Sequence, residues 1–256
     1  MVFILPAAAV LLGFFTPMMY FGLREMFRYL SGLEMFQDQA SLAQSAAIFE
    51  TLDAKTVFLT SLPLSQGIGL VIAAMIGFRA ARPFGTGIYR NKIIAQIKRE
   101  EIYLSQSLFC LILSMVSAAL FTLTAALTSR MTFGSLGMSG REYLTVALLS
   151  FGIYLVYTAI PVFAAFLTRS VPLTLVISML LPVIMQLVVS LAAAALMSAP
   201  KIVTDLFAIL PSVQNVYMTS AEASDTTLVI SIVSDVVITA LLTVIGIIRF
   251  KKTDMN

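Results

Sequence analysis

Few side chains in this sequence are candidates for chemistry, and their pattern narrows the choices quickly. Gly137-Met138-Ser139-Gly140 has the GxSG form in which intramembrane serine proteases carry their nucleophile. Such a serine needs a general base within hydrogen-bonding reach, and the chain has no histidine. Aspartyl intramembrane proteolysis needs two carboxylates on facing spans, whereas Asp235 stands alone within an apolar segment. A Gly/Ser turn is therefore the simpler reading of the GxSG stretch. The missing histidine also removes His-ligated metal sites. The single cysteine, Cys110, can neither pair within the chain nor build a zinc site. No glycine is followed by lysine, so the phosphate-cradling GxxxxGK[ST] loop is absent and any ATP chemistry must sit on a separate subunit. The expectation is a chain that is not an enzyme, with no catalytic, cofactor-binding or metal-binding residues of its own.

Two other groups of residues invite a functional reading. Asp235 is flanked at helical spacing by Ser231 and Thr239, which makes one polar stripe on an apolar helix. A carboxylate in mid-span costs about 2.5–3.5 kcal/mol on insertion scales, so it should face protein or water. It reads as a helix–helix contact, a residue on a translocation path, or a proton relay. Gln66 and Gln186 are weaker cases of the same kind. The second group lies between Arg79 and Glu101, where six basic residues face two acidic ones. Within it, Ile88, Ile93, Ile94 and Ile97 interleave with Arg90, Lys92, Lys98 and Arg99. That spacing suits a short amphipathic helix lying on a membrane surface. It serves either as a positive anchor or as a grip for a soluble partner.

These groups must be held by membrane-spanning helices. The chain is 59% hydrophobic and 11% charged with a mean hydropathy of +0.98, against about 25% charged residues in soluble domains. Six apolar stretches are long enough to cross about 30 Å of hydrocarbon as helices: 2–22, 56–78, 107–128, 143–167, 172–197 and 227–248. Placing the 79–101 loop inside puts ten basic residues on the cytoplasmic face and six outside. Nine acidic residues lie outside and three inside, so both termini are expected in the cytoplasm. Between the first two spans, Leu23, Met26, Phe27, Leu30 and Leu33 recur at helical spacing, which predicts a separate interfacial helix. The segment from Lys201 to Asn215, interrupted by Pro211, is too short to span and predicts an interfacial or re-entrant helix. The N-terminus has no basic n-region or cleavage pattern, so no removable signal peptide is expected. Pro6, Pro17, Pro63, Pro161 and Pro182 lie inside spans, where each removes a backbone hydrogen bond. The whole of 1–256 reads as one all-α membrane domain, with an inner loop at 79–105 and outer segments at 23–55 and 199–226. The net charge of +3 gathers at span edges and does not point to nucleic acid.

At the basic loop the sequence resembles the bacterial ABC-2 type permeases, in particular the branch tied to peptide-antibiotic resistance and lantibiotic immunity. In that family a second span is followed by GT-x-RNK-I and then by R-x-x-IYLS. Here the stretch reads Gly87-Ile88-Tyr89-Arg90-Asn91-Lys92-Ile93, then Arg99-Glu100-Glu101-Ile102-Tyr103-Leu104-Ser105. Leu206–Gln214, LFAILPSVQ, is similar to the family's outer segment before the last span. The resemblance implies a six-helix permease in the bacterial cytoplasmic membrane, paired with a second permease subunit as a homo- or heterodimer. It implies a separate ABC ATPase that carries ATP and Mg, and an amphiphilic, peptide or lipid-like substrate. A coupling helix would run from about Ile88 to Lys98, with Arg90, Asn91, Lys92, Ile93, Ile97, Lys98 and Arg99 docking the ATPase. The chain departs from the family in lacking a basic amphipathic helix before the first span, and in the inserted Ile88-Tyr89. An ion-coupled secondary transporter or channel is the alternative.

Overall fold

The computed structural model describes residues 3–31, 47–48, 51–62, 68–197, 207–220 and 223–252. Among them the regular structure is entirely helical. The helices are α1 (Ile4–Ser31), α2 (Ala54–Ser61), α3 (Ile68–Gly85), α4 (Ile88–Ile94), α5 (Arg99–Phe133), α6 (Gly140–Thr168), α7 (Val171–Met197), α8 (Pro211–Ser220) and α9 (Asp225–Lys252). Five of them, α1, α5, α6, α7 and α9, contain stretches long and apolar enough to cross a membrane.

Two elements differ from the sequence expectation. The apolar run after Gly22 does not form a helix of its own; it continues α1 to Ser31 without a break. Nothing at Gly22 or Leu23 stops the helix, and Arg24 is held by ring faces, 5.2 Å from the centroid of Phe21 and 4.7 Å from that of Phe133. The second stretch, drawn over 56–78, is two helices, α2 and α3. Pro63 and Gln66 lie between them, outside the described residues. Asp53 starts α2 by accepting the Thr56 N–H at 2.7 Å. Hydrogen bonds from the Thr56 side chain and backbone hold its carboxyl below the usual range.

The centre of the bundle is α6. It is apolar around most of its circumference, and its buried residues point in every direction, from Val146 and Leu149 through Ile153 to Val162 and Ala165. A helix of that composition suits the centre of a bundle. It has neighbours in α3, α5, α7, α8 and α9, while α1 packs along α5. The serine of the GxSG stretch begins α6 as a capping box: Ser139 Oγ accepts the Glu142 N–H at 3.3 Å, and Glu142 Oε2 accepts the Ser139 N–H at 2.6 Å. At this end of the bundle Lys55 pairs with Glu142, and Arg141 with Asp225 at 2.8 Å. The other end gathers the C-termini of α3, α6 and α9, the N-terminus of α5, and the short helix α4.

Candidate functional site

The structure separates the sequence candidates into a surface helix at one end of the bundle and a buried carboxylate within it. Gly87, in the left-handed region at φ 71°, turns the chain from α3 into α4. The helix then stops at Ile94 rather than continuing to Lys98. Gln96 adopts φ 60°, its N–H reaches Ile93 O at 2.9 Å, and the Ile97 N–H reaches Lys92 O at 3.1 Å. This is a Schellman-type ending, made here by a residue that bears a Cβ. Lys98 belongs to the next element, as the N-cap of α5. Gln96→Gly is expected to be neutral or stabilising by up to about 1 kcal/mol, since glycine adopts this conformation freely. Gln96→Val, β-branched and ill-suited to positive φ, should lower the melting temperature measured in detergent.

One side of α4 is fixed to the body of the protein. Tyr89, 1% exposed, stacks on Phe166 at 5.3 Å and meets Phe84 edge-on at 4.7 Å. Its hydroxyl donates to Ala80 O at 3.3 Å. Burial pushes the phenol's pKa far above its ordinary value, so Tyr89 acts as a neutral donor throughout the working range. Phe166 is the hub of this cluster, with Tyr103 at 4.6 Å and Phe250 at 4.9 Å. Five aromatic rings thus bind α3, α4, α5, α6 and α9 at a single point.

The seven residues implied for docking divide accordingly. Arg90, Asn91 and Lys98 are exposed, and Lys92 is half-buried. Ile93 faces inward and packs against the chain's own core. The Arg99 guanidinium donates to Phe250 O at 3.2 Å and to Lys251 O at 3.0 Å, capping the end of α9, while Glu100 pairs with Lys251. Ile97 stays outward at 39% exposure, joined by Ile88 at 46% and Ile94 at 70%. The outward apolar surface is therefore Ile88, Ile94 and Ile97, set among Arg90, Asn91 and Lys98.

The second site is polar and fully enclosed. Asp235 on α9 is 0% exposed. Its Oδ1 accepts from Gln214 Nε2 at 3.1 Å, and the same nitrogen donates to Ala208 O at 3.0 Å. Ser231, one turn before Asp235, donates to that carbonyl at 3.3 Å. Gly152 of α6 lies against the other carboxylate oxygen; a Cβ at this position would meet the Asp235 Cγ at 3.2 Å as well as that oxygen. Gln214 enters on α8, whose residues from Pro211 to Asn215 are all buried and which packs chiefly against α6. Gln66 lies outside the described residues. Gln186 falls on α7, with its side chain outside them. Gln214 and Gly152 were not legible as site residues. The only hint was the proline-broken apolar stretch ending in Gln214, which is too short to span a membrane yet too apolar for a water-exposed loop. No group of three His, Cys, Asp or Glu side chains suited to a metal occurs among the described residues.

No protein-family model matches the chain, and comparison with curated proteins and with solved structures gives no match.

Proposed function

We propose that this chain is the membrane-spanning permease subunit of an ABC transporter, with α4 as the element that engages a separate ATPase. In this reading α2 and α3 together count as one span, giving six, and the α4 end of the bundle faces the bacterial cytoplasm with both termini. The ATPase carries ATP and Mg, a second permease subunit completes the pathway, and the cargo is a peptide, lipid-like or other amphiphilic molecule. The supporting observation is the construction of α4. A helix of seven residues is too short to persist alone, yet this one is tied down by Tyr89 and still presents exposed Ile88 and Ile94, with Ile97 exposed just beyond its end, among cations. Apolar side chains within a polar rim are the usual form of a protein-binding surface.

The test begins with purification. A tagged permease extracted in mild detergent is expected to bring down a protein bearing the nucleotide-binding motifs of an ABC ATPase, and a permease purified alone with unimpaired transport would overturn the reading. Orientation is checked in a background without Cys110. Gln96→Cys should resist an impermeant thiol reagent added to intact cells, whereas Ser139→Cys should react. Labelling of position 96 from outside would reverse the topology and remove the basis for ATPase docking.

The buried carboxylate favours a second reading, an ion-coupled carrier. Ionisable groups within spans commonly mark ion pathways, and a short broken helix beside one is a usual feature of secondary transporters. A solitary permease whose transport follows an ion gradient and ignores ATP depletion would decide for it.

A further inference from the structure

We propose that α8, α9 and the facing stretch of α6 form a binding site for one monovalent cation of the sodium class, with Asp235 as its charged ligand. The argument starts from unsatisfied oxygens. Among the described residues, Asp235 Oδ2, Gln214 Oε1, Asn215 Oδ1 and Thr239 Oγ1 are all buried and without a hydrogen-bond partner. The two carboxamide oxygens can only accept, and so can Asp235 Oδ2 while the carboxyl is ionised. The amide of Gln214 cannot be turned round to relieve this, because its nitrogen serves two acceptors, Asp235 Oδ1 and Ala208 O. A buried acceptor left unmade costs about 1–3 kcal/mol, and more when it is charged. No lysine or arginine among the described residues pairs with Asp235. The titratable neighbour from α6 is Tyr157, beside Ser212, and it brings no positive charge.

A cation beside Asp235 and Gln214 would satisfy acceptors of this kind. Carboxylate, carboxamide and hydroxyl oxygens are the ligands of hard ions. One carboxylate balances one positive charge, and its surroundings supply only neutral dipoles. The place in the fold also suits an ion: α8 is a short helix entering among longer ones, and the Ala208 carbonyl just before it lies beside Ser231 on α9. Discontinuous helices put backbone and side-chain oxygens within a membrane where an ion can use them.

The experiment uses the purified full chain in lipid nanodiscs at pH 7.5, its melting temperature followed from 1 to 100 mM NaCl with ionic strength held constant by choline chloride. An ion that binds only the folded state raises this temperature. A rise of about 4 °C is expected, together with its loss in Asp235→Asn, which keeps the shape of the side chain and removes its charge. A flat response to sodium in the parent would overturn the proposal. So would an unchanged sodium response in Asp235→Asn, or a melting temperature that follows pH between 5 and 8 while ignoring sodium, since the occupant would then be a proton. If Asp235→Asn does not fold, Asn215→Ala decides, because it removes a ligand oxygen and no charge. A sodium midpoint raised threefold or more supports the site, and an unchanged midpoint rejects it. Loss of ATPase co-purification has no bearing on this result, so the two proposals fail separately.

Discussion

On the proposed docking role of α4, Ile94→Asp combined with Ile97→Asp is expected to detach the ATPase and abolish transport while leaving the chain folded. Both side chains are exposed, at 70% and 39%, so the substitution places charge where the isolated chain already meets water. In the complex the same carboxylates would enter an apolar cleft. Losing two buried isoleucines costs about 3–5 kcal/mol of docking energy, or at least 100-fold in affinity. Ile93→Asp has a different expected outcome, since Ile93 packs against the chain's own core and its replacement should lower the chain's melting temperature as well. Lys98→Ala, an exposed rim charge, should change affinity by less than about 1 kcal/mol. Recovery of the proposed ATPase on the detergent-solubilised chain, measured beside the melting temperature, separates the three variants. Undiminished recovery with the Ile94/Ile97 double variant would return α4 to the role of a positively charged anchor.

Gly152→Ala is expected to lower the melting temperature by about 5 °C or more. Its methyl group would press into the carboxylate of Asp235, with Cγ only 3.2 Å and Cβ 3.4 Å away. Overpacking of this kind costs about 1–3 kcal/mol, and each kcal/mol moves the midpoint of a chain this size by about 2–4 °C. Gly140→Ala, at the start of the same helix with open space around it, is the neutral control. The contact is specific if Asp235→Ser, which shortens the side chain, restores much of the loss in the double variant, as coupled neighbours should. Additive effects of Gly152→Ala and Asp235→Ser would show that α6 and α9 do not depend on this approach.

Much of the helical layout was legible in the sequence because hydropathy reports directly on what must avoid water. Five of the six long apolar runs did become single long helices, and Asp235 was visible as the lone acidic residue among them. Boundaries set by backbone detail were not visible. No glycine warns that α4 ends at Gln96, since the left-handed turn is made there by a glutamine. Nor does any residue after Gly22 announce that α1 runs on to Ser31. Partnerships were hidden for a further reason: they depend on which helices come together. Arg99 reads as one more cation in a basic loop until α9 places two carbonyls beside it. Gln214 reads as an ordinary polar residue until α8 carries it to Asp235. Ile93 and Ile94 are indistinguishable by type, and only Tyr89, by fixing one side of α4, decides which of them turns inward.

The central position of α6 has a consequence for the order in which the protein is made. Synthesis delivers α6 before α7, α8 and α9 exist, so three of the five helices that enclose it arrive after it has left the ribosome. Until then the part of its surface that these helices cover must rest against lipid tails or insertion machinery. Gly152 waits as a notch in that surface, and Asp235, the group that fills it, comes on the last helix of the chain. Closure of the bundle is therefore a late event, and a chain stalled after α7 would expose a half-covered helix whose remaining neighbours have not been made.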